Sequence, residues 1–273
     1  MSVLLYCIIA FNMLKFSANL GFLFSEGATI IEQYQLARQC GFKAVEHPFP
    51  TKDIDHQKLL EAKNELKLEV ALVNIESDPD ARFGCASMPQ QQEAFKKNFH
   101  TTLNFAKLMS CKKIHLMSGK LEQAPTQDHR DTFVSNLKYA AAHLERENIV
   151  GVIEPINHYS VPGYFLNDFA YAIETIKAVG SDNIKLMVDL FHLQMLHGNV
   201  INSLKEFHEF IGHVQVAQAP NRNEPNSQGE LNLKFILDEL EKIGYDGFIG
   251  CEYKPLTTTS AGLGWINDFG YQL

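Results

Sequence analysis

The sequence predicts a single α/β domain in which eight parallel strands alternate with eight helices and close into a (β/α)8 TIM barrel. Eight apolar, strand-like runs alternate with helical segments, beginning with a strand. The length of 273 residues is close to the roughly 250 that one such barrel needs. An open doubly wound sheet would also alternate, but eight units in one chain favour closure, and no GxGxxG follows the first strand.

The first half of the chain supplies four strand–helix units. Ile30 and Tyr34 fall on one face of the first helix, which begins near Ser25 and ends at Gly41. The run YAAAHLERE gives the fourth helix a high intrinsic propensity. Strands are predicted at 15–24, 42–46, 68–75 and 112–119, and the later three helices at 55–66, 90–109 and 126–148.

The second half repeats this alternation. Gly180 and Gly244 end two of its helices, as glycine commonly does after a last helical turn. The tail after the last strand has room only for a short helix. Strands are predicted at 149–157, 184–192, 211–218 and 247–255, and helices at 168–179, 202–210 and 231–243.

One connection, residues 76–88, is too long for a simple loop. Its sequence, ESDPDARFGCASM, is polar and contains both proline and glycine. Loops of this length are usually functional or disordered. The segment is therefore either a lid over the active site or a disordered loop.

Residues 1–14, MSVLLYCIIAFNML, are predicted to form an apolar extension outside the barrel domain of residues 15–273. The segment resembles the core of a signal peptide, but it lacks a basic start and a small-residue cleavage site. Eight apolar residues are also too few to span a bilayer. Met13 is an alternative start of the functional chain.

The composition opposes several classes of partner. The chain has 24 Lys and Arg against 32 Asp and Glu, a net charge of −8, with no basic cluster. Nucleic acid and anionic membrane surfaces are therefore not expected as partners. Five scattered cysteines without CxxC spacing indicate reduced thiols, so a cytoplasmic location is expected. A homo-oligomer is compatible with these features.

Four oxygen-bearing side chains stand at the ends of the last four predicted strands. They are Glu154, Asp189, Gln215 and Glu252, separated by about 26 to 37 residues, which is the length of a βα unit. The carboxyl ends of parallel strands meet at one face of the barrel. Three carboxylates and an amide oxygen suit a hard divalent cation, so the sequence predicts a metal site there.

The histidines give a weaker signal. His192 lies three residues after Asp189, where it could donate a hydrogen bond to a substrate oxygen. His115 sits inside an apolar strand and is expected to be a hydrogen-bonded core residue. No GxSxG motif occurs, so covalent catalysis by a serine elbow is not expected.

Several motifs together resemble the hydroxypyruvate isomerase family of the xylose-isomerase-like superfamily. The resemblance covers residues 16–265, nearly the whole chain apart from the extension. Its motifs stand in order: EPIN at 154–157, PGYFLN at 162–167, VDLFH at 188–192, HVQVA at 213–217 followed by PNR and GE, CEYKP at 251–255 and AGLGW at 261–265.

The resemblance implies a role for each of the four oxygen donors. Glu154 and Glu252 match the pair that serves as acid/base and as metal ligands, and Asp189 and Gln215 complete the ligand shell. The implied cofactor is a divalent metal, Mg²⁺ with Mn²⁺ as the alternative. Many relatives, ketose epimerases among them, carry histidine where this chain has Gln215.

The implied reaction interconverts hydroxypyruvate, a small-molecule substrate, and 2-hydroxy-3-oxopropanoate through an enediolate. One glutamate removes a proton and the other returns it, with the division of labour left open. His192 and Arg222 match substrate-contacting positions. The planar guanidinium of Arg222 suits a carboxylate, and Lys254 is a second candidate for this role. Either cation could instead be an ordinary surface charge.

Three other functions remain open. One is a different sugar isomerase or a ketose 3-epimerase that uses the same ligand shell. Another is the related barrel nuclease that acts at abasic DNA sites, which the net charge of −8 and the glutamine at position 215 oppose. The last is a non-catalytic barrel scaffold, whose mark would be a broken ligand shell.

Overall fold

A computed structural model describes residues 14–50, 53–78, 81 and 83–273. Eight parallel strands form a closed barrel in chain order, and β1 pairs with both β2 and β8. The predicted (β/α)8 barrel is therefore confirmed. The strands are β1 Lys15–Asn19, β2 Ala44–His47, β3 Glu69–Asn74, β4 Lys113–His115, β5 Val150–Ile153, β6 Ile184–Asp189, β7 Ile211–Val216 and β8 Phe248–Cys251.

The helices lie between successive strands, and polar side chains cap several of them. Asp55 and Asp168, for example, accept hydrogen bonds from backbone N–H groups in the first turns of α2 and α5. The helices are α1 Ile30–Gln39, α2 His56–Glu65, α3 Gln92–Met109, α4 Gln127–Glu147, α5 Phe169–Val179, α6 Leu190–Leu196, α7 Val200–Phe207, α8 Leu233–Lys242, α9 Thr259–Gly262 and α10 Trp265–Asp268.

The first strand is shorter than predicted. It ends at Asn19, because the Asn19 side chain accepts a hydrogen bond from the Gly21 backbone N–H at 2.9 Å and starts a turn. The following helix begins at Ile30 instead of near Ser25, since Thr29 caps it. The turn places the Asn19 side chain at the mouth of the barrel.

The segment after β6 also differs from the prediction. The strand ends at Asp189, and α6 begins at once, so His192 lies in the first turn of a helix and not on a strand. A second helix, α7, follows after Gly198, whose φ of 65° allows the chain to reverse. The prediction had only one helix in this connection.

Side chains on alternate strand positions point into the barrel. Leu72, Val152 and Met187, from β3, β5 and β6, form a small apolar cluster separate from the main core between strands and helices. Because strand side chains repeat with a period of two, residues 154 and 189 continue the inward rows of Val152 and Met187. The site residues thus stand directly above an apolar layer.

The predicted extension falls almost entirely outside the described residues, which begin at Leu14. Leu14 is buried in the core, and its backbone N–H donates to Glu241 Oε1 at 3.3 Å. Within the part of the chain that the structure describes, no helix is long and apolar enough to cross a membrane.

The long connection after β3 is docked at its carboxyl end. Cys85, Ala86 and Ser87 are buried, and the Ser87 backbone N–H donates to the Ser118 carbonyl at 2.8 Å. This part therefore packs on the end of β4. Residues 79, 80 and 82 lie outside the described residues.

Gly250 is the inward position of β8 that leaves room for a buried carboxylate. A Cβ built there would lie 2.2 Å from Glu46 Oε1. Gly250→Ala should lower the free energy of unfolding by about 1–3 kcal/mol, the usual cost of overpacking. Gly264→Ala is the control, because its Cβ would meet no atom within 4 Å. Equal denaturant midpoints for the two variants would contradict the close contact.

Candidate active site

The four predicted oxygen donors stand at the carboxyl ends of β5 to β8. Glu154 and Glu252 directly follow β5 and β8, while Asp189 and Gln215 are paired in the β6–β7 ladder. Gln215 is in turn paired with Gly250, two residues before Glu252. All four therefore continue inward-facing rows at the same end of the barrel.

Asp189 is both the last residue of β6 and the N-cap of α6. Its Oδ1 accepts a hydrogen bond from the Phe191 backbone N–H at 2.9 Å, a favoured use of aspartate at a helix start. Its Oδ2 lies at the barrel mouth, where it accepts a hydrogen bond from Arg222 Nη2 at 2.8 Å. The strand-to-helix junction thus fixes the direction of this carboxylate.

Arg222 joins two of the carboxylates. The same Nη2 that binds Asp189 donates to Glu252 Oε2 at 2.6 Å. The guanidinium lies against the Phe22 and Phe191 rings, 4.7 and 4.9 Å from their centroids. Its backbone is left-handed, with φ of 60°, which is uncommon for a residue other than glycine. The cation is therefore held deep in the mouth.

Glu252 is the most accessible of the three carboxylates, with 16% of its side chain exposed. Its Oε1 accepts a hydrogen bond from Asn19 Nδ2 at 3.1 Å. Burial and the nearby charge of Asp189, opposed by Arg222, raise the pKa of Glu252 to about 8. A carboxyl group with this pKa can both accept and return a proton near neutral pH.

Glu154 is more deeply buried. Burial, together with the negative charges of Glu252 and Asp189, raises the pKa of its carboxyl group well above the usual value. Its Oε2 lies 3.7 Å from His115 Nε2, too far for a hydrogen bond. Its Oε1 is buried without a hydrogen-bond partner among the described residues. A buried polar atom normally has a hydrogen-bond or metal partner, and none of the described residues supplies one here.

Gln215 presents a second atom of this kind. Its Nε2 donates to Glu46 Oε1 at 2.7 Å, which turns the amide oxygen the other way. That oxygen is buried, and the described part of the chain gives it no hydrogen-bond donor. The orientation of the amide therefore leaves Gln215 Oε1 available to accept a hydrogen bond or to bind a cation.

His192 is oriented by Asn157, the last residue of the EPIN motif. The Asn157 backbone N–H and Nδ2 lie 3.1 and 2.7 Å from His192 Nδ1. A backbone N–H can only donate, so Nδ1 is the acceptor and the ring proton is on Nε2. Burial lowers the pKa of His192 well below its usual value, which keeps the ring neutral. Nε2 faces Asp189 Oδ2 at 3.6 Å and Glu154 Oε1 at 3.9 Å.

The donor set fits a divalent cation. The unpartnered oxygens of Glu154 and Gln215 are hard ligands of the type that Mg²⁺ and Mn²⁺ prefer. Once all three carboxyl groups are ionised, they and the guanidinium carry a local charge of about −2, which a divalent cation would neutralise. Glu154, Asp189 and His192 each place one ligand atom within 4.8 Å of the others. The proton on His192 Nε2 makes this ring a hydrogen-bond donor, so Gln215 is the better candidate for a fourth ligand.

Metal affinity should rise with pH, and the raised pKa values set the direction. Below pH 8 a proton on Glu252 competes with the cation, and the raised pKa of Glu154 acts in the same direction. Each proton released on binding contributes up to about tenfold in affinity per pH unit. Titrations with Mn²⁺ from pH 6 to pH 9 should therefore show affinity that rises with pH. Affinity independent of pH would contradict ligation by these carboxylates.

Lys254 does not converge with the other predicted residues. Its side chain is exposed, while its backbone N–H donates to the Arg222 carbonyl at 2.7 Å. The backbone contact stabilises the loop that carries Arg222.

Sequence reasoning missed four residues that surround the predicted set. Glu46, Asn19 and His213 form a buried network beneath Gln215, and Asn157 orients His192. Glu46 could have been recognised from the sequence, because it is a carboxylate at the end of a strand-like run, as Glu154 and Glu252 are. Asn157 belongs to the EPIN motif, but nothing in the motif indicates which nitrogen it contacts.

Comparisons with known proteins identify the family of this chain. The family described as xylose isomerase-like TIM barrel matches residues 34–269. A Drosophila melanogaster protein provisionally named hydroxypyruvate isomerase is 46% identical, covering 95% of this chain and 99% of that protein. The hydroxypyruvate isomerase of Escherichia coli strain K12 is 38% identical, covering 94% of this chain and 100% of the enzyme.

A solved structure from Brucella melitensis, described as AP endonuclease, family 2, is also similar. It superposes with a TM-score of 0.90 at 32% identity, covering 96% of this chain and 100% of that one. These matches cover nearly the whole chain. The chain therefore belongs to the xylose isomerase-like TIM barrel family, as an isomerase of the group whose members are named hydroxypyruvate isomerase.

Proposed function

We propose that this isomerase interconverts hydroxypyruvate and 2-hydroxy-3-oxopropanoate by proton transfer between adjacent carbons, with a divalent cation, Mg²⁺ or Mn²⁺, in the site. The observation that carries the proposal is the pair Glu154 and Glu252. Both carboxyl groups face one barrel mouth, and both have raised pKa values. Groups that move a proton near neutral pH need such pKa values.

Glu154, Asp189, Gln215 and Glu252 would hold the cation. When bound, the cation supplies Lewis-acid stabilisation of the negative charge that develops on two adjacent substrate oxygens. Support comes from the two buried oxygens that lack partners among the described residues, Glu154 Oε1 and Gln215 Oε1. The local negative charge favours the same conclusion.

The two glutamates would share the proton transfer. One carboxylate removes a hydrogen from C3 of hydroxypyruvate as a proton, the hydroxyl proton passes from the C3 oxygen to the C2 oxygen, and a carboxylic acid returns a proton to C2. His192, with its proton on Nε2, would donate a hydrogen bond to a substrate oxygen between them.

Arg222 would anchor the substrate carboxylate. Its Nη2 is engaged by Asp189 and Glu252, but Nη1 has no hydrogen-bond partner in the described structure. Binding of the cation by the two carboxylates would release Nη2 as well. A planar guanidinium can then hold a carboxylate with two parallel hydrogen bonds. Lys254 is the second candidate for this contact.

The rival functions predict different substrates. A ketose epimerase has no use for a carboxylate anchor, so it would prefer an uncharged ketohexose. A nuclease at abasic sites is opposed by the net charge of −8. A non-catalytic scaffold is opposed by the filled set of four oxygen donors.

Substrate preference tests the proposal. The purified chain, supplied with Mg²⁺ or Mn²⁺, should isomerise hydroxypyruvate with a kcat/KM at least tenfold above that for dihydroxyacetone, which has a hydroxymethyl group in place of the carboxylate. A ketohexose should be a still poorer substrate. A kcat/KM greater for the ketohexose than for hydroxypyruvate would assign the chain to the epimerases instead.

A further inference from the structure

We propose that Glu46, a residue outside the predicted site, is a positioning residue that decides which end of the Gln215 amide faces the metal site. The inference rests on the proposed function, because it takes Gln215 as a metal ligand. Glu46 lies on β2, across the barrel from β7, and its side chain is fully buried. Among the described residues, its hydrogen bonds go to Ser17, Asn19, His213 and Gln215 and to none of the three site carboxylates.

Four donors converge on the Glu46 carboxylate. On Oε1 it accepts from Gln215 Nε2 at 2.7 Å and from Asn19 Nδ2 at 2.9 Å. On Oε2 it accepts from His213 Nε2 at 2.7 Å and from Ser17 Oγ at 3.1 Å. An ionised carboxylate has no proton to donate, so every group around it must present a donor. The network is satisfied only with Glu46 as an acceptor.

The Glu46 carboxylate determines which way the Gln215 amide is turned. The oxygen and nitrogen ends of a glutamine have nearly the same shape, so sterics alone would allow either to face the metal site. Only Nε2 can bind Glu46, and Oε1 must then point to the opposite side. There Oε1 is buried and has no partner within the described residues. A hard cation needs that oxygen and would be repelled by the NH₂ end.

The same carboxylate also supports Glu252. Asn19 Nδ2, which donates to Glu46 Oε1, donates to Glu252 Oε1 at 3.1 Å. Gly250, beside Gln215 in the ladder, leaves the space in which the Glu46 carboxylate sits. Glu46 therefore supports two of the four proposed ligands, Gln215 directly and Glu252 through Asn19. Partners of this kind, which orient the ligands themselves, typically contribute 10- to 100-fold in metal affinity.

Glu46→Gln is the informative substitution. Glutamine at position 46 would replace one acceptor oxygen by an NH₂ group. That NH₂ group would face a neighbour that is itself a hydrogen-bond donor, so neither could be satisfied. With its NH₂ on the side of Gln215, the substituted side chain would be accommodated by a flip of the Gln215 amide, which would turn the Gln215 NH₂ toward the metal site. The dissociation constant for Mn²⁺, measured by calorimetry on the metal-stripped full chain, should rise roughly 10- to 100-fold.

Ser17→Ala is the matched control. Ser17 donates to the same carboxylate, but it contacts Oε2 and not the oxygen that holds Gln215. Its loss should change the Mn²⁺ dissociation constant less than about threefold, well below the effect expected of an orienting partner. An equal loss in both variants would mean that Glu46 acts only through the general integrity of the network, and would overturn the proposal.

A double-variant cycle separates positioning from simple charge. In a Gln215→Ala chain the amide is absent, so Glu46→Gln should weaken Mn²⁺ binding much less than it does in the unaltered chain, because only its effect through Asn19 and Glu252 is left. Additive losses would show that Glu46 acts by its own negative charge and would refute the positioning role. Unaltered Mn²⁺ binding in Glu46→Gln alone would refute it as well.

The unaltered chain supplies a test that does not depend on any variant folding. With glutamine side chains labelled with ¹³C and ¹⁵N, addition of Mg²⁺ should shift the Gln215 carbonyl carbon while its NH₂ group stays protected from exchange. A perturbed NH₂ with an unmoved carbonyl would contradict the proposal. If the unaltered chain binds neither Mg²⁺ nor Mn²⁺, the metal site of the proposed function fails, whereas normal binding with an unmoved carbonyl refutes Gln215 as a ligand, and with it the role of Glu46, but leaves the three carboxylates as ligands.

Discussion

Glu154→Gln and Glu252→Gln should each lower kcat by at least about 100-fold, the low end of what a general acid or base contributes. Glutamine keeps the size of the side chain and one oxygen for the cation, but it cannot carry the proton. The buried Glu224 offers a control outside the site, because its Oε1 accepts the Leu256 backbone N–H and a glutamine oxygen can do the same. Glu224→Gln should leave kcat nearly unchanged.

The double variant of Glu154 and Glu252 should lose little more activity than the slower single variant. Groups that act as one unit are strongly non-additive, since either loss already breaks the same proton transfer. Metal content must be measured in parallel. Near-normal turnover in both single variants with metal bound would refute the two-glutamate mechanism.

Solvent deuterium distinguishes the two glutamates. In the hydroxypyruvate direction, the base that abstracts the C3 hydrogen must be intact for that hydrogen to exchange with solvent. The variant in which exchange stops therefore identifies the abstracting residue. Continued exchange with blocked product formation identifies the residue that returns the proton at C2.

Arg222→Ala should raise KM for hydroxypyruvate roughly 10- to 150-fold. The range corresponds to the loss of a charged hydrogen bond of about 1.5–3 kcal/mol. KM for dihydroxyacetone should change much less, because that substrate has no carboxylate. The comparison of two substrates in one variant cancels any general damage to the site.

Arg222→Lys sharpens this prediction. Lysine keeps the positive charge near Asp189 and Glu252 but loses the planar fork, so KM for the acid should still rise. Equal loss for hydroxypyruvate and dihydroxyacetone in Arg222→Ala would show a different role. Arg222 would then serve mainly to pair Asp189 and Glu252, as its 2.8 and 2.6 Å contacts with them allow.

The sequence placed the four oxygen donors well because their positions depend on local pattern. A carboxylate directly after an apolar run marks the end of a strand, and parallel strands bring such ends together. The same reasoning put His192 at a strand end, whereas it lies on α6. Asp189 is a favoured N-cap residue, and that signal could have predicted a helix start at Leu190.

The residues that orient the site side chains could not be predicted from local sequence patterns. Glu46 contacts His213 and Gln215, which are 167 and 169 residues away in the chain. Only closure of the barrel brings β2 opposite β7, and no local pattern indicates which side chains then meet. The left-handed backbone of Arg222 likewise depends on contacts with Gln218 and Lys254 from its surroundings.

The most direct test of the account removes and restores the metal. The chain stripped with a chelator should lose isomerisation of hydroxypyruvate, and added Mg²⁺ or Mn²⁺ should restore it in proportion to the cation bound. Asp189→Asn, which weakens one proposed ligand, should require a higher cation concentration for the same recovery. Full activity in the stripped chain, with no cation detectable, would contradict the metal-assisted proton transfer proposed here.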